Sequence, residues 1–201
     1  MPTKTILDGH KQFLDHFVEN ETHFLELARN GQNPEALWIG CSDSRVPPEI
    51  LLGAAPGTLF VMRNIANIIP PVTAEDQSVG AVLEYAIFVL RVPHIIICGH
   101  TECAGINTLM DDNAIMPGSA IQNWLNHAQS VKQQLLHDEE SDILEAIKLN
   151  VLTQHQNLLS YRFIAQRYHD GLLHIHNWFY DLHSGRISSY DHALKRWSRI
   201  T

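Results

Sequence analysis

Two short apolar segments, each followed by metal-binding residue types, constrain the fold of this 201-residue chain most strongly. The first covers residues 36–40 and leads into Cys-Ser-Asp-Ser-Arg at 41–45, and the second covers residues 94–99 and leads into His-Thr-Glu-Cys at 100–103. Such runs predict buried strands of a parallel sheet, whose carboxyl ends lie along one edge. If the two strands are neighbours, four side chains meet at that edge. They are Cys41, Asp43, His100 and Cys103.

This donor set predicts a zinc site. Two thiolates and one imidazole with an open fourth position are typical of catalytic zinc, whereas structural sites are usually closed by cysteine and histidine alone. Asp43 could fill the fourth position or accept a hydrogen bond from bound water. Arg45 can pair with Asp43 in bidentate geometry and hold it away from the metal. A structural zinc site remains the alternative, and Cys98 is interpreted as a buried core residue.

The alternation of helical and strand patterns predicts an α/β fold, with a mostly parallel central β-sheet flanked by helices. The predicted helices cover 10–29, 46–53, 76–90 and 119–169, the last interrupted near 138–142. The predicted strands cover 36–40, 58–62, 95–98 and 172–180, and 186–190 completes a C-terminal antiparallel hairpin. Gly40 and Gly99 are expected to allow sharp exits from their strands. We interpret residues 1–201 as one domain with an N-terminal helical arm at about 1–33.

Charge, apolar content and cysteine count restrict the binding partners and the cellular compartment that we expect for this protein. The formal net charge is −8 without a run of lysine or arginine, which argues against nucleic acid and anionic membrane as partners. No apolar stretch approaches the roughly 20 residues that span a bilayer, and the N-terminus does not resemble a signal peptide. Three cysteines are an odd number and fit a disulfide framework poorly. These features predict a cytoplasmic protein.

At its metal-binding residues the chain resembles the β-class carbonic anhydrases. The matching segments are 41–47, 56–67, 84–86, 98–105 and 178–180. The resemblance implies reversible hydration of CO2 to bicarbonate and a proton, with zinc-bound hydroxide as the nucleophile. It implies one Zn²⁺ per subunit, held by Cys41, His100 and Cys103, and catalytic roles for Asp43 and Arg45. It further implies an obligate homodimer that often forms tetramers, with the N-terminal arm used in dimerisation.

The resemblance also assigns two groups of binding residues. Gln32, Phe60, Ile65 and Tyr85 match positions that line the substrate pocket, some of them contributed across the dimer interface. Trp38, Arg63 and Tyr180, with Gly40 before the zinc cysteine, look like the type II subgroup, in which bicarbonate binds a non-catalytic pocket. Asp43 then leaves Arg45 and replaces water on zinc. From the residues alone, Phe60 and Ile65 are equally consistent with core packing, and Tyr85 on its helix stripe is better explained as a core residue with a satisfied hydroxyl. For Trp38 and Tyr180, a core tryptophan and a surface tyrosine are the alternative that the full triplet disfavours.

Two departures from the family pattern and two alternative functions remain. Ala104 stands where the family usually has glycine, and Glu102 occupies a variable position. A hydrolase of CS2 or COS on the same fold is one alternative, and a zinc-stabilised bicarbonate sensor without turnover is the other. The chain has 13 histidines, and the sequence assigns none of them as a proton shuttle.

Overall fold

The computed structural model describes residues 3–111, 113–114, 116–135 and 142–201. The helices are α1 Lys4–Glu19, α2 Glu21–Asn30, α3 Pro48–Leu52, α4 Gln77–Glu84, α5 Ala104–Met110, α6 Ala120–Leu125, α7 Gln129–Leu135, α8 Ile143–Leu159 and α9 Arg162–His169. The strands are β1 Ala36–Cys41, β2 Leu59–Asn64, β3 His94–His100, β4 His174–Asp181, β5 Arg186–Asp191 and β6 Arg196–Arg199. Single helical turns cover Ile65–Asn67, Val72–Ala74 and Asn126–Ala128.

The strands form one sheet in the order β2-β1-β3-β4-β5-β6. The four strands from β2 to β4 are parallel, and β5 and β6 are added antiparallel. The predicted α/β class, the parallel sheet and the C-terminal hairpin are therefore confirmed. Strand β6, which extends the hairpin, was not predicted, because its four residues at 196–199 are Arg-Trp-Ser-Arg and include only one apolar side chain.

Helices cover one face of the sheet, where Leu37 and Ile39 of β1 and Ile95 and Ile97 of β3 are fully buried. Gly99 lets α8 approach β3, since a Cβ at this position would lie 2.7 Å from Val151 Cγ2. Close packing, and not the predicted sharp exit, is therefore the reason for this glycine. The chain continues as a strand through His100.

The opposite face carries a smaller apolar group made of Ala36, Trp38, Ile96 and Cys98. Gly40 belongs to this face and lies inside β1, so the sharp exit predicted for it is also wrong. A Cβ at position 40 would overlap the indole Nε1 of Trp38. The glycine thus makes room for the tryptophan side chain.

Several predicted helices differ in extent. The helix predicted over 10–29 is two helices that meet at Asn20, and the first begins at Lys4. The helix predicted over 76–90 is capped by Asp76, which accepts from the Val79 N–H at 2.7 Å, and it ends in a π-helical turn at Tyr85–Val89. Helix α5 was not predicted.

The helical region predicted over 119–169 is divided at more places than expected. Part of the predicted break, 138–141, lies outside the described residues, and α8 begins after Asp142, which caps it through the Glu145 N–H. A second break separates α8 from α9 at Tyr161, whose hydroxyl donates to the Pro70 carbonyl at 2.9 Å. Residues 155–166 contain neither glycine nor proline, so no local helix-stop residue marks this break.

The N-terminal arm has no buried residue in α1 or α2. Its aromatic rings pack on one another, with Phe17 and Phe24 at 4.8 Å and Phe13 and Phe24 at 5.6 Å between ring centroids. Large apolar side chains stay exposed on it, among them Ile6, Leu7, Leu14 and Val18. Over the described ranges, no helix combines the length and apolarity required to cross a membrane.

Candidate metal centre

Cys41 and His100 are the last residues of β1 and β3, and these two strands are parallel neighbours. Cys103 immediately precedes α5. In the strand order, β2 lies on one side of β1 and β3 on the other, so the residues meet at a topological switch point of the sheet. The predicted adjacency of the two strands is confirmed.

The three ligand atoms lie close together in a buried position. The Sγ atoms of Cys41 and Cys103 are 3.9 Å apart, and all three ligand atoms lie within 4.8 Å of one another. The Nδ1 of His100 is 2.8 Å from the Thr101 carbonyl oxygen, which can only accept, so Nδ1 carries the proton. The Nε2 lone pair of His100 is then available for a metal.

The donor set fits zinc. Nε2 of His100 is buried and has no hydrogen-bond partner among the described residues, an arrangement that is costly unless a ligand is bound there. Two sulphur donors and one imidazole nitrogen match the preferences of Zn²⁺ and leave a fourth position open. The histidine is oriented by a backbone carbonyl, as metal-binding histidines usually are.

The two thiols are electrostatically coupled. The hydrogen bond from Cys103 lowers the pKa of Cys41, and the same hydrogen bond, with burial, raises the pKa of Cys103. The backbone N–H groups of Asp43 and Ala66 also stabilise the Cys41 thiolate. The pair therefore retains one proton, which metal binding would displace. By contrast, burial raises the pKa of Cys98, which lies on the other face of the sheet.

Asp43 is paired with Arg45 at the edge of this group. Nε and Nη2 of Arg45 donate to Oδ1 and Oδ2 of Asp43 at 3.0 and 2.7 Å, and the Arg45 backbone N–H donates to Oδ1 at 2.9 Å. The guanidinium holds the pKa of the Asp43 carboxyl well below its usual range. Asp43 Oδ2 is 4.0 Å from His100 Nε2, close enough to face a ligand in the open fourth position.

Arg45 has a second set of partners that the sequence did not indicate. Its Nη2 donates to the Glu102 carbonyl at 3.2 Å, and its Nη1 lies 3.4 Å from Glu102 Oε2. His183, in the turn after β4, lies 2.9 Å from Glu102 Oε1 through Nε2. The only sequence feature that drew attention to Glu102 was its difference from the residues usual at this position in the family. Nothing in the sequence pointed to His183, because it is 81 residues away.

Helix α8 supports the wall of the site through buried amides, which were also missed. Asn150 Nδ2 donates to the Ala66 carbonyl at 2.9 Å, and the Ile69 N–H donates to Gln154 Oε1 at 2.8 Å. Ala66 has a φ of 62°, a left-handed conformation that is uncommon without glycine. These bonds hold the strained turn beside Cys41 in place.

The residues of the predicted bicarbonate pocket lie beside the metal centre. Arg63 donates through Nε to the Cys41 carbonyl at 2.8 Å and through Nη2 to the Asp43 carbonyl at 2.5 Å. Trp38 belongs to the smaller apolar group, and the half-buried Tyr180 packs against that group. Nε1 of Trp38 is buried without a hydrogen-bond partner in the described part of the chain.

One chain does not bring the four predicted substrate-pocket residues together. Ile65 lines a cavity of about 510 Å³ with Ser42 and Trp124. Phe60 and Tyr85 instead contact each other with tilted rings, whose centroids are 5.7 Å apart. Gln32 is exposed in the segment between α2 and β1.

Comparison with known proteins identifies the family. A carbonic anhydrase family model matches residues 36–187. The structure resembles that of the β-carbonic anhydrase CcaA with a TM-score of 0.94 and 33% identity, over 99% of this chain and all of that one. The chain belongs to the β-class carbonic anhydrases.

Other carbonic anhydrases are similar over most of their length. One from Pseudomonas aeruginosa is 37% identical, over 96% of this chain and 90% of the relative. One from Synechocystis is 35% identical, over 94% of this chain and 71% of the relative. A tetrameric β-carbonic anhydrase from Sordaria macrospora has a TM-score of 0.82 and 34% identity, over 92% and 94% of the two chains. With the buried Cys41, His100 and Cys103, these similarities identify an enzyme of this family.

Proposed function

We propose that the protein catalyses zinc-dependent hydration of CO2 to bicarbonate and a proton. The observation that carries the proposal is the buried Cys41–His100–Cys103 group beside the Asp43–Arg45 pair, in which His100 Nε2 has no hydrogen-bond partner within the described ranges. Bound zinc would lower the pKa of a water ligand towards 7 and supply a nucleophile at neutral pH. Two negatively charged thiolates weaken this effect, so neighbouring hydrogen bonds must assist it.

Asp43 and Arg45 supply that assistance in our proposal. The carboxylate is ionised at neutral pH because Arg45 stabilises its charge, and a carboxylate can only accept hydrogen bonds. It therefore accepts the hydrogen bond of the nucleophile and aims the remaining lone pair at the carbon atom of CO2. Arg45 fixes the orientation of Asp43 through two parallel hydrogen bonds and keeps it from entering the metal position.

The test is stopped-flow CO2 hydration by the zinc-loaded protein, compared with hydrolysis of CS2 and COS at equal concentration. We expect CO2 hydration well above the buffer rate and little turnover of the sulphur substrates. Hydration equal to that of buffer would contradict the proposal. Preferred turnover of CS2 or COS would assign the alternative hydrolase function, and zinc with bicarbonate binding but no turnover would assign the sensor.

We further propose that bicarbonate inhibits the enzyme at Trp38, Arg63 and Tyr180. The indole N–H of Trp38 supports an anion site, since it is a buried donor that has no acceptor among the described residues. Arg63 links this pocket to the catalytic loop through its bond to the Asp43 carbonyl. An anion that draws Arg63 away would release the backbone at Asp43 and favour separation of Asp43 from Arg45. In the structure described here, that pair is intact.

Replacing Trp38 or Tyr180 by phenylalanine is expected to weaken bicarbonate inhibition about ten-fold or more, because each change removes one hydrogen bond to a charged ligand. The measurement is the inhibition constant of bicarbonate for CO2 hydration. Tyr190→Phe is the matched control, since Tyr190 is a β5 tyrosine outside this pocket, and it should behave like wild type. Unchanged inhibition in both pocket variants would exclude this site.

We also propose a homodimer built through the N-terminal arm, with pairing into a tetramer as in the Sordaria macrospora relative. The exposed apolar side chains of α1 and the separation of the four substrate-pocket residues within one chain support this proposal. Partner subunits would complete each substrate pocket. The single-domain interpretation of 1–201 and the cytoplasmic location remain predictions.

Introducing aspartate at both Leu14 and Val18 is expected to lower the molecular mass in solution to that of a smaller assembly. The side chains are 49% and 73% exposed in the single chain, and burying two charges in an interface is strongly unfavourable. Light scattering after gel filtration measures the mass. Leu172→Asp, at a comparably exposed leucine outside the arm, should leave the mass unchanged. An unaltered mass in the double variant would show that the arm does not hold the subunits together.

A further inference from the structure

Three histidines cluster at the opposite end of the sheet from the metal centre. His94 and His174 are the first residues of β3 and β4, and His176 follows two positions later. In the parallel register His94 pairs with His174, and Ile96 pairs with His176. Because side chains alternate between faces along a strand, all three histidines lie on the same face of the sheet. The cluster is separate from His100 because His94 begins β3 and His100 ends it.

Two of the imidazoles already have the spacing of ligands to one metal ion. His176 Nε2 and His94 Nδ1 are 3.2 Å apart. Two nitrogen ligands at about 2.0–2.1 Å from a tetrahedral zinc ion are about 3.3 Å from each other. The rings of His174 and His176 lie 5.3 and 5.2 Å from the ring of His94, measured between centroids. His174 is exposed, so its ring can turn toward the other two at little cost.

The surroundings of His176 favour its neutral imidazole, the form that binds metals. Burial, together with the neighbouring His94 and His174, lowers the pKa of His176. His94 and His176 also line an open cavity of about 460 Å³, which gives an ion and its water ligands access. The exposed Glu35 lines the same cavity and adds a carboxylate to its lining.

We propose that His94, His174 and His176 form a second metal site in each subunit, which binds a divalent transition-metal ion such as Zn²⁺. Imidazole nitrogen is a preferred ligand of zinc, copper and nickel. The ion takes the place of the single proton now shared between His94 and His176, and solvent completes its coordination. This site lacks thiolates and is more open than the catalytic one, so we expect it to bind zinc more weakly and exchangeably.

The test counts zinc in the zinc-loaded protein after equilibrium dialysis against excess Zn²⁺. We expect two ions per subunit in the wild type and one in the double variant His94→Asn/His176→Asn. The control His10→Asn/His169→Asn removes two exposed histidines elsewhere and should retain two ions. One ion per subunit in the wild type, or two in the His94/His176 variant, would overturn the proposal.

Two further variants complete the test. One changes only an exposed histidine, in case the His94/His176 double variant does not fold, and the other distinguishes this site from the catalytic one. His174→Ala changes an exposed side chain, and we expect it to weaken binding of the second ion about ten-fold or more. An unchanged affinity for the second zinc ion in this variant would show that His174 is not a ligand, which contradicts the three-histidine site. Cys41→Ala should lose the catalytic ion and keep the second. Since the readout is metal content, it does not depend on whether the protein hydrates CO2.

Discussion

Cys41→Ala is expected to remove the catalytic metal and to lower CO2 hydration by at least about three orders of magnitude. The reason is that activation of water at neutral pH depends on a metal that lowers its pKa from 15.7 to about 7. Cys41 supplies one of the three buried ligand atoms, and the two remaining ones cannot hold zinc as tightly. Zinc content by mass spectrometry and stopped-flow hydration measure the two effects on the same sample.

Cys98→Ala is the matched control, because Cys98 is equally buried but lies on the other face of the sheet. Its sulphur donates only a weak bond to the Gly99 carbonyl, at 3.4 Å. This variant should keep its catalytic zinc and its activity, with a loss of stability of about 1 kcal/mol from the deleted side-chain atom. A Cys41 variant that stays active with a full complement of zinc would contradict the ligand assignment.

Asp43→Ala is expected to lower kcat/KM for hydration about 10²–10⁴-fold while zinc remains bound, the range typical of a positioned acid–base group. The carboxylate oxygen Oδ2 faces the metal position from 4.0 Å away, measured to His100 Nε2, but Asp43 is outside the three-ligand group. Its loss should therefore affect the reaction much more than the metal content. Zinc content and kcat/KM distinguish the two roles.

Arg45 should show its dependence on Asp43 in a double-mutant cycle. Arg45→Lys keeps a positive charge but loses the two parallel hydrogen bonds to Asp43. We therefore expect it to lose a large part of the kcat/KM that Asp43→Ala loses. The double variant should be little worse than Asp43→Ala, because Arg45 acts through Asp43. Asp8→Ala, which breaks the exposed pair of Asp8 with Lys11, is the control and should not change the rate. Full activity of Asp43→Ala would remove this role from both residues.

The metal ligands could be predicted from the sequence because the strands that carry them are marked locally. The unbroken apolar runs before Cys41 and His100 indicate buried parallel strands, and parallel strands present their carboxyl ends on one edge. The pairing of Asp43 with Arg45 is likewise local, since the residues are two positions apart. The same reasoning failed for Gly40 and Gly99, which serve close packing with Trp38 and Val151, because packing distances depend on distant residues.

Residues far apart in the chain complete the site. Glu102 reaches Arg45 across 57 positions, His183 reaches Glu102 across 81, and Asn150 reaches the Ala66 carbonyl across 84. None of these polar side chains carries a local pattern that indicates its partner. The histidine cluster at His94, His174 and His176 is of the same kind, since parallel pairing of β3 with β4 creates it.

The sequence by itself determined the α/β class, the strands that deliver the ligands, and the zinc-type donor set of Cys41, His100 and Cys103. These features follow from short-range patterns of apolar and metal-binding residues. Only the tertiary structure decided which residues hold Arg45 in turn, and that Phe60 and Tyr85 lie outside the lining of the cavity at Ile65. Those arrangements depend on strand order and register. Both are determined by the packing free energy of the whole core, to which residues far apart in the sequence contribute together.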